Sequence, residues 1–303
     1  MENGVGIELN ELIKIAEQLT RKRSSKLWVV TRILVSKKYR GYGHLVHMYL
    51  RWVDDIIDNP NISVAEKENF VHRQLKLMAD ISRLDEIKIE DMNEACLFFL
   101  NKYATENRRA DIITYLKINF QAAMLDIHRL RNEGNFTSAE EEEYVTKLVS
   151  PVFFLTVCFI SPKLIINENA NHIGEFFYYS LSFKDFDEDM AAGFLNICKE
   201  DIIKYNVDAK NIFFDSNRFQ WAKDRYPMIM KKMYDELKIL RRMPFKVKLF
   251  WSPAYINVYR YLTRVKIYNY HFGFEIKKSL SQELKILIST LKMSFTVIRK
   301  VFL

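Results

Sequence analysis

In the stretch YLRWVDDIIDNP, Tyr49 to Pro60, an apolar helical pattern is interrupted by three carboxylates and an arginine. Asp54 and Asp58 stand four residues apart and so share one helix face. Glycine and proline are sparse, 8 and 6 in 303 residues, and no glycine falls between Gly43 and Gly134. Strand-rich folds need turns more often, so the pattern predicts a mostly helical chain. Ser63-x-x-Glu66 and Thr137-x-x-Glu140 read as capping boxes that start helices. Asn59 and Pro60 should stop the helix that holds the opening stretch. Gly134 separates a long helix ending near Arg131 from the next at Thr137. A helix is predicted over Ile173 to Ala192, with Gly193 past its end as a cap. From Phe245 onward two more helices should meet near Tyr270 to Lys277.

Composition narrows the class. With 49% apolar residues the chain can bury a large core. Without repeats, low-complexity runs or Pro/Gly/Ser linkers, a single domain over residues 1–303 is the simplest reading. Its N-terminal helix would lie in 1–23 and a basic C-terminal helix in 279–303. Cys96, Cys158 and Cys198 lack metal-type spacing, and an odd, sparse count fits a reducing compartment. The N-terminus lacks the basic-then-apolar plan of a signal peptide. The longest apolar stretch, Leu148 to Ile160, is too short to span a bilayer and carries Pro151. A cytoplasmic protein is the expectation.

The net charge of +8 is concentrated. From Lys246 to Leu303, eleven Lys and Arg oppose only Glu275 and Glu283, so the rest of the chain is close to neutral. A basic region interleaved with Leu, Ile and Phe is suited to peripheral contact with an anionic membrane surface. The plainer reading is a solvated helix face. No recognition motif accompanies the charge, so nucleic acid is not an expected partner.

A second acidic cluster, FKDFDEDMAAG from Phe183 to Gly193, repeats the first. Asp185 and Asp189 stand at i and i+4, with Glu188 beside them and Lys184 just before. Four buried carboxylates without compensation would repel one another and take up protons. Hard divalent cations remove that cost. Magnesium binds through one or two carboxylates, keeps waters and takes further ligands from phosphate. The expectation is a magnesium–diphosphate clamp with Asp54, Asp58, Asp185 and Asp189 as metal ligands, supported by Asp55 and Glu188. Arg51 and Lys184 are placed to take phosphate oxygens. A single such acid pair is usually a solvated face. Here Trp52, Val53, Ile56 and Ile57 flank one pair, and Phe183, Phe186 and Met190 the other, which argues against full exposure.

These residues resemble the squalene/phytoene synthase family, head-to-head prenyl diphosphate synthases, over about Ser24 to Lys285. RWVDDIID is similar to that family's first aspartate motif and KDFDEDMAAG to its second. SSKLWVVTRILVSKKYRGYGHLVHMYLRWVDD resembles the segment leading into the first motif. MLDIHRL with FTSAEEEEYVTKLVSPV resembles the region between the motifs, and YRYLTRVKIYNYHF the closing helices. The resemblance implies an all-α isoprenoid-synthase bundle around a deep central pocket. It implies magnesium-dependent ionisation of a fifteen- or twenty-carbon prenyl diphosphate to an allylic cation, which a second prenyl diphosphate attacks. It places Ser25 and Lys26 on the diphosphate and gives Tyr144, with Arg51, a catalytic part; an ordinary buried tyrosine is the alternative. NADPH is implied only if a squalene-type reduction occurs.

The sequence departs from the family at several positions. Leu27 stands where a second phosphate-binding serine is common, and Leu181 replaces an asparagine that helps bind metal. Phe194-Leu195-Asn196-Ile197-Cys198 replaces Arg-x-Tyr-Leu-Pro, and Glu275 falls near an arginine that contacts diphosphate. These changes keep a single-substrate terpene synthase open as an alternative. A non-enzymatic scaffold is the third reading, disfavoured because all four aspartates persist. His47, one turn before Arg51, reads as a satisfied core histidine, and His44, His72, His128, His172 and His271 show no metal spacing.

Overall fold

The computed structural model describes residues 7–79, 89–132, 134–164, 172–209, 215–270 and 279–303. Among these residues it has thirteen α-helices and no strand. The chain is all-α, as the resemblance implies and in keeping with the mostly helical pattern. It folds into two compact units, Met1–His128 with Pro151–Ile166, and Arg129–Ser150 with Asn167–Leu303.

The first unit contains α1 (Leu9–Arg23), α2 (Ser25–Leu34), α3 (Lys37–Ile57), α4 (Val64–Ala79) and α5 (Met92–Glu106). It also takes most of α6 (Asp111–Arg131) and the second half of α7 (Ser138–Ile160). The Ser63 box starts α4: Glu66 accepts from the Ser63 amide at 2.9 Å, and the Glu66 amide reaches back to Ser63 Oγ at 3.3 Å. Leu45, Met48, Tyr49, Met78 and Phe120 are essentially without exposure. Each fully buried large side chain contributes about 1.5–3 kcal/mol. One polar chain crosses this core. Tyr49 donates to Gln74 at 2.9 Å, Gln74 to Glu94 at 2.8 Å, and Arg73 grips Glu94 with two bonds of 2.7 and 2.8 Å. Because each member has a partner, burial of these groups costs little, and α3, α4 and α5 are pinned in register.

The second unit contains the end of α6, the start of α7, α8 (Glu175–Lys184), α9 (Phe186–Ala191), α10 (Lys199–Tyr205), α11 (Asn217–Arg241), α12 (Phe245–Ile267) and α13 (Leu280–Phe302). Trp221, Tyr255, Phe176, Phe183 and Phe186 form its heart. Buried Glu236 accepts from the Phe176 amide at 2.7 Å and from the Tyr255 hydroxyl. Burial pushes its carboxyl up to about 8, although those hydrogen bonds pull the other way.

Most predicted boundaries hold. Thr137 and Glu140 form the second box, and α12 and α13 lie on either side of residues 268–279. The helix predicted over Ile173 to Ala192 is corrected at two points. Gly174, at φ +97, forms its N-cap, so the helix starts at Glu175. Asp185, at φ −96 and ψ 8, then divides it into α8 and α9. α-Helical hydrogen bonding nevertheless continues through the kink, from the Asp185 amide to Leu181 O and from the Asp189 amide to Asp185 O, both 2.8 Å. Gly193, at φ +93, closes α9: its amide bonds Met190 O at 3.1 Å, and the Phe194 amide bonds Asp189 O at 2.8 Å.

Among the described residues α7 is the one helix long and apolar enough to cross a membrane, and 61% of that window is buried in the protein. The helix that carries Leu148–Ile160 is therefore longer than that stretch, and most of its apolar window is packed inside the protein. Cys96, Cys158 and Cys198 are free and buried.

Candidate functional site

The first acidic cluster sits at the C-terminal end of α3. Val53 and Ile57 turn into the core, while Arg51, Asp54, Asp55 and Asp58 lie on the exposed side. Asp58 is the helix C-cap, and its amide bonds Asp54 O at 2.9 Å, so the two predicted ligands keep their one-turn spacing. Asp55 is held by Arg23 at 2.8 Å and by Arg51 at 3.4 Å; Arg51 also lies 3.7 Å from Asp54. Water reaches 53% of the Asp54 side chain, yet its carboxyl is pushed up to about 7. The protein packed round it is the largest cause; Asp58 comes next, with Asp126 and Asp55 adding and Arg51 opposing. Such crowding of like charge is what a bound cation relieves.

The turn between α1 and α2 is drawn against this end of α3. Arg23 reaches Asp55, and Ser24 Oγ lies 3.2 Å from His47 Nε2. Thr20 Oγ1 lies 3.2 Å from the other ring nitrogen, so His47 has a partner on each side. Burial, then His44, Arg51 and Arg23, bring His47 down to about 4, and it is neutral at pH 7. Ser25 and Lys26 follow directly in the first turn of α2, both exposed.

The second cluster spans the α8–α9 kink. Lys184 is ion-paired with Asp185, and Asn196 donates its amide to Asp189 Oδ2. Asn196 in turn accepts from Arg129 Nη1 at 3.0 Å. Arg129 is buried, and its guanidinium carbon stands 4.5 Å from the Phe136 ring, 4.5 Å from Phe194 and 5.5 Å from Tyr144. Tyr144 is buried and packs on Phe136 and Tyr178. A close backbone approach holds the turn after α9: the Leu195 amide bonds Gly134 O at 2.7 Å. A Cβ on Gly134, already at φ +80, would meet Gly193 O at 2.3 Å. Glu188 is exposed.

No protein-family model and no curated protein sequence matches the chain. Solved structures do. A dehydrosqualene synthase in complex with ligand aligns at TM-score 0.66 and 15% identity, covering 95% of this chain and 98% of that one. The squalene synthase HpnC from Alicyclobacillus acidocaldarius aligns at 0.64 and 13%, covering 89% and 98%. TcSQS with the ligand BPH1237 aligns at 0.56 and 16%, covering 96% and 91%. The chain has the fold of these synthases.

On that isoprenoid-synthase fold the predicted residues are placed as follows. Within the first unit, Ser25, Lys26, Arg51, Asp54, Asp55 and Asp58 lie at or beside one helix end. Within the second, Lys184, Asp185, Glu188 and Asp189 share one kinked segment, and Tyr144 reaches it through Arg129 and Asn196. Glu275 and His271 lie outside the described residues. No three His, Cys, Asp or Glu side chains among the described residues are grouped so as to cage a metal ion. The pairs that are present suit magnesium that completes its shell with water and phosphate. A cavity of about 590 Å³ lined by Met78, Asn101, Arg108, Ile113 and Lys117 contains none of these residues.

Four residues near the acids were not among those predicted. Asp126 on α6 is buried and acts on Asp54; it lies in the MLDIHRL stretch. Lys67 on α4 is 2% exposed and feels Asp58 and Asp126, while burial lowers its pKa. Its sequence signal is a lysine on a core stripe that continues through Val71, Gln74 and Met78. Tyr261 on α12 feels Asp185 and Asp187, although burial is the main cause raising its pKa. Arg129 has no local signal, because its aromatic neighbours come from residues far apart in sequence.

Proposed function

We propose that the protein is a magnesium-dependent enzyme that ionises a prenyl diphosphate and forms a carbon–carbon bond through the allylic cation. The preferred reaction joins two prenyl diphosphates head to head, as the names of the aligned squalene and dehydrosqualene synthases suggest. The observation that carries the reading is the pair of acid-bearing turns, Asp54/Asp58 and Asp185/Asp189, each held at one-turn spacing on this fold. The raised Asp54 carboxyl, packed round by protein and then pushed up by Asp58, supports a place where a cation would be favoured.

Bound magnesium would neutralise the diphosphate leaving group. Asp54, Asp58, Asp185 and Asp189 would hold it, with Asp55 and Glu188 in support. Arg51, Lys184, Lys26 and Ser25 would take diphosphate oxygens. As the carbon–oxygen bond breaks, both electrons leave with diphosphate. The double bond of the second substrate attacks the cation, and a proton is lost to close a cyclopropane. Buried aromatic rings offer faces that favour the cation over water. Tyr144, beside a fixed guanidinium, orients diphosphate or carries a proton. NADPH enters only if the intermediate is reduced.

One observation favours a second reading, cyclisation or quenching of a single prenyl diphosphate. Phe194 to Cys198 are all buried, so the segment that departs most from the family packs into the core. Incubation with farnesyl and geranylgeranyl diphosphate, with and without Mg2+ and NADPH, separates the readings by product carbon number. A doubled carbon count supports condensation, and a conserved count supports the single-substrate reaction. No magnesium-dependent diphosphate release with any ten- to twenty-carbon substrate would favour a scaffold.

A further inference from the structure

Helix α13 is amphipathic on two sides. Ile286, Met293, Val297 and Val301 are buried, and the helix packs on α11 and α12. Arg264 holds Glu283 at 3.0 Å, Tyr259 meets Ser289 at 3.0 Å, and Lys300 lies over the Tyr234 ring. The helix is thus fixed in orientation. Its other face is apolar and open to water: Leu280 is 89% exposed, Leu284 56%, Leu291 52% and Phe295 73%, with Leu287, Ile288 and Ile298 also exposed. At 3.6 residues per turn these seven positions fall within a sector of about 100°. Soluble surfaces scatter such residues rather than line them up.

One edge of this stripe is basic, while Glu283 beside the other edge is held by Arg264. Lys285, Lys292 and Arg299 recur every seven residues and so run along one edge of it. The surface continues at the start of α12. There Phe245 (65% exposed) touches the Phe302 ring, Leu249 is exposed, and Lys246 and Lys248 add positive charge. Arg241 bonds Leu303 O at 2.8 Å, which ties this end of α13 to α11.

We propose that this face is a docking surface for an anionic lipid bilayer, with α13 lying in the plane of the interface. Apolar side chains enter the acyl boundary while the basic edge meets the headgroups. Charge complementarity selects this occupant over a second copy of the chain. A two-fold antiparallel pairing of the stripe would set the basic edge against itself, which is repulsive. The proposal concerns where the protein sits and does not depend on its reaction.

The test uses the full chain and vesicles of phosphatidylcholine alone or with one-quarter phosphatidylglycerol, separated by flotation. Wild type is expected to bind the anionic vesicles at least a hundredfold more tightly than the neutral ones. Replacing the edge, as Lys285→Gln, Lys292→Gln and Arg299→Gln together, should weaken that binding about a hundredfold, at about 1 kcal/mol per charge. Replacing the stripe, as Leu284→Ser, Leu291→Ser and Phe295→Ser, should abolish binding without altering charge. All six side chains lie outside the packed face of α13, and circular dichroism checks that the fold is kept. Failure of wild type to bind anionic vesicles, or unchanged binding of the stripe variant, overturns the proposal. So does a wild-type dimer, seen by light scattering, that the stripe variant dissolves.

Discussion

Asp54 and Asp58 are presented by the last turn of one continuous helix, whereas Asp185 and Asp189 straddle a kink between two short ones. Their surroundings differ more than their spacing. At the first turn Arg23 and Arg51 are engaged with Asp55, Arg51 lies 3.7 Å from Asp54, and the protein packed round Asp54, followed by Asp58, raises its carboxyl to about 7. At the second, Lys184 pairs with Asp185, and Asn196, braced by Arg129, fixes Asp189. One turn attracts a cation by excess negative charge, and the other presents oxygens already oriented by neighbours. Equal spacing in sequence therefore conceals two electrostatic designs.

The largest expected effect comes from removing either pair. Asp54→Asn with Asp58→Asn, or Asp185→Asn with Asp189→Asn, should each lower magnesium-dependent diphosphate release about a thousandfold. Combining all four should cost little more, because groups that act as a unit are not additive. Multiplying losses would break the account, since the turns would then act separately.

Asn196→Leu tests the oriented turn alone. It should raise the magnesium concentration needed for half-maximal rate about tenfold to a hundredfold, the usual effect of losing a group that orients a ligand. The comparison fails if Asn196→Leu leaves the magnesium requirement unchanged.

Gly134→Ala attacks the backbone beneath the same turn. Strain at positive φ and the clash with Gly193 O should cost about 2–3 kcal/mol in urea unfolding.

A smaller effect separates the fold's own pH response from that of the acid turns. The Glu236 carboxyl lies near 8 in the folded chain, above its ordinary 4.5. Between those values the unfolded chain has released a proton that the folded chain retains. Stability contributed below pH 4.5 is therefore lost as pH rises toward 8. Glu236→Gln should flatten that part of the decline in thermal midpoint measured from pH 5 to 8, and an unchanged slope would contradict it.

Much of the fold was legible because its signals are local. The Ser63 and Thr137 boxes, Gly193 and Pro60 act within one turn of themselves, and α3, α4, α7 and α9 begin or end beside them. The acid pairs were legible for the same reason, since i,i+4 spacing survives whichever way the helix bends. The kink at Asp185 was not, because the residue stays hydrogen-bonded in helical fashion while its backbone angles shift. Arg129 was missed because its place depends on Phe136, Phe194 and Asn196 converging through the Gly134–Gly193 contact. Lys67 could have been found as the one cation on an apolar stripe.

The most direct test of the central claim is calorimetric titration of the full chain with inorganic diphosphate in the presence and absence of Mg2+. The account predicts binding only with Mg2+, and its loss in both the Asp54/Asp58 and the Asp185/Asp189 double variants. Binding that persists without Mg2+, or that survives removal of either acid pair, would contradict it.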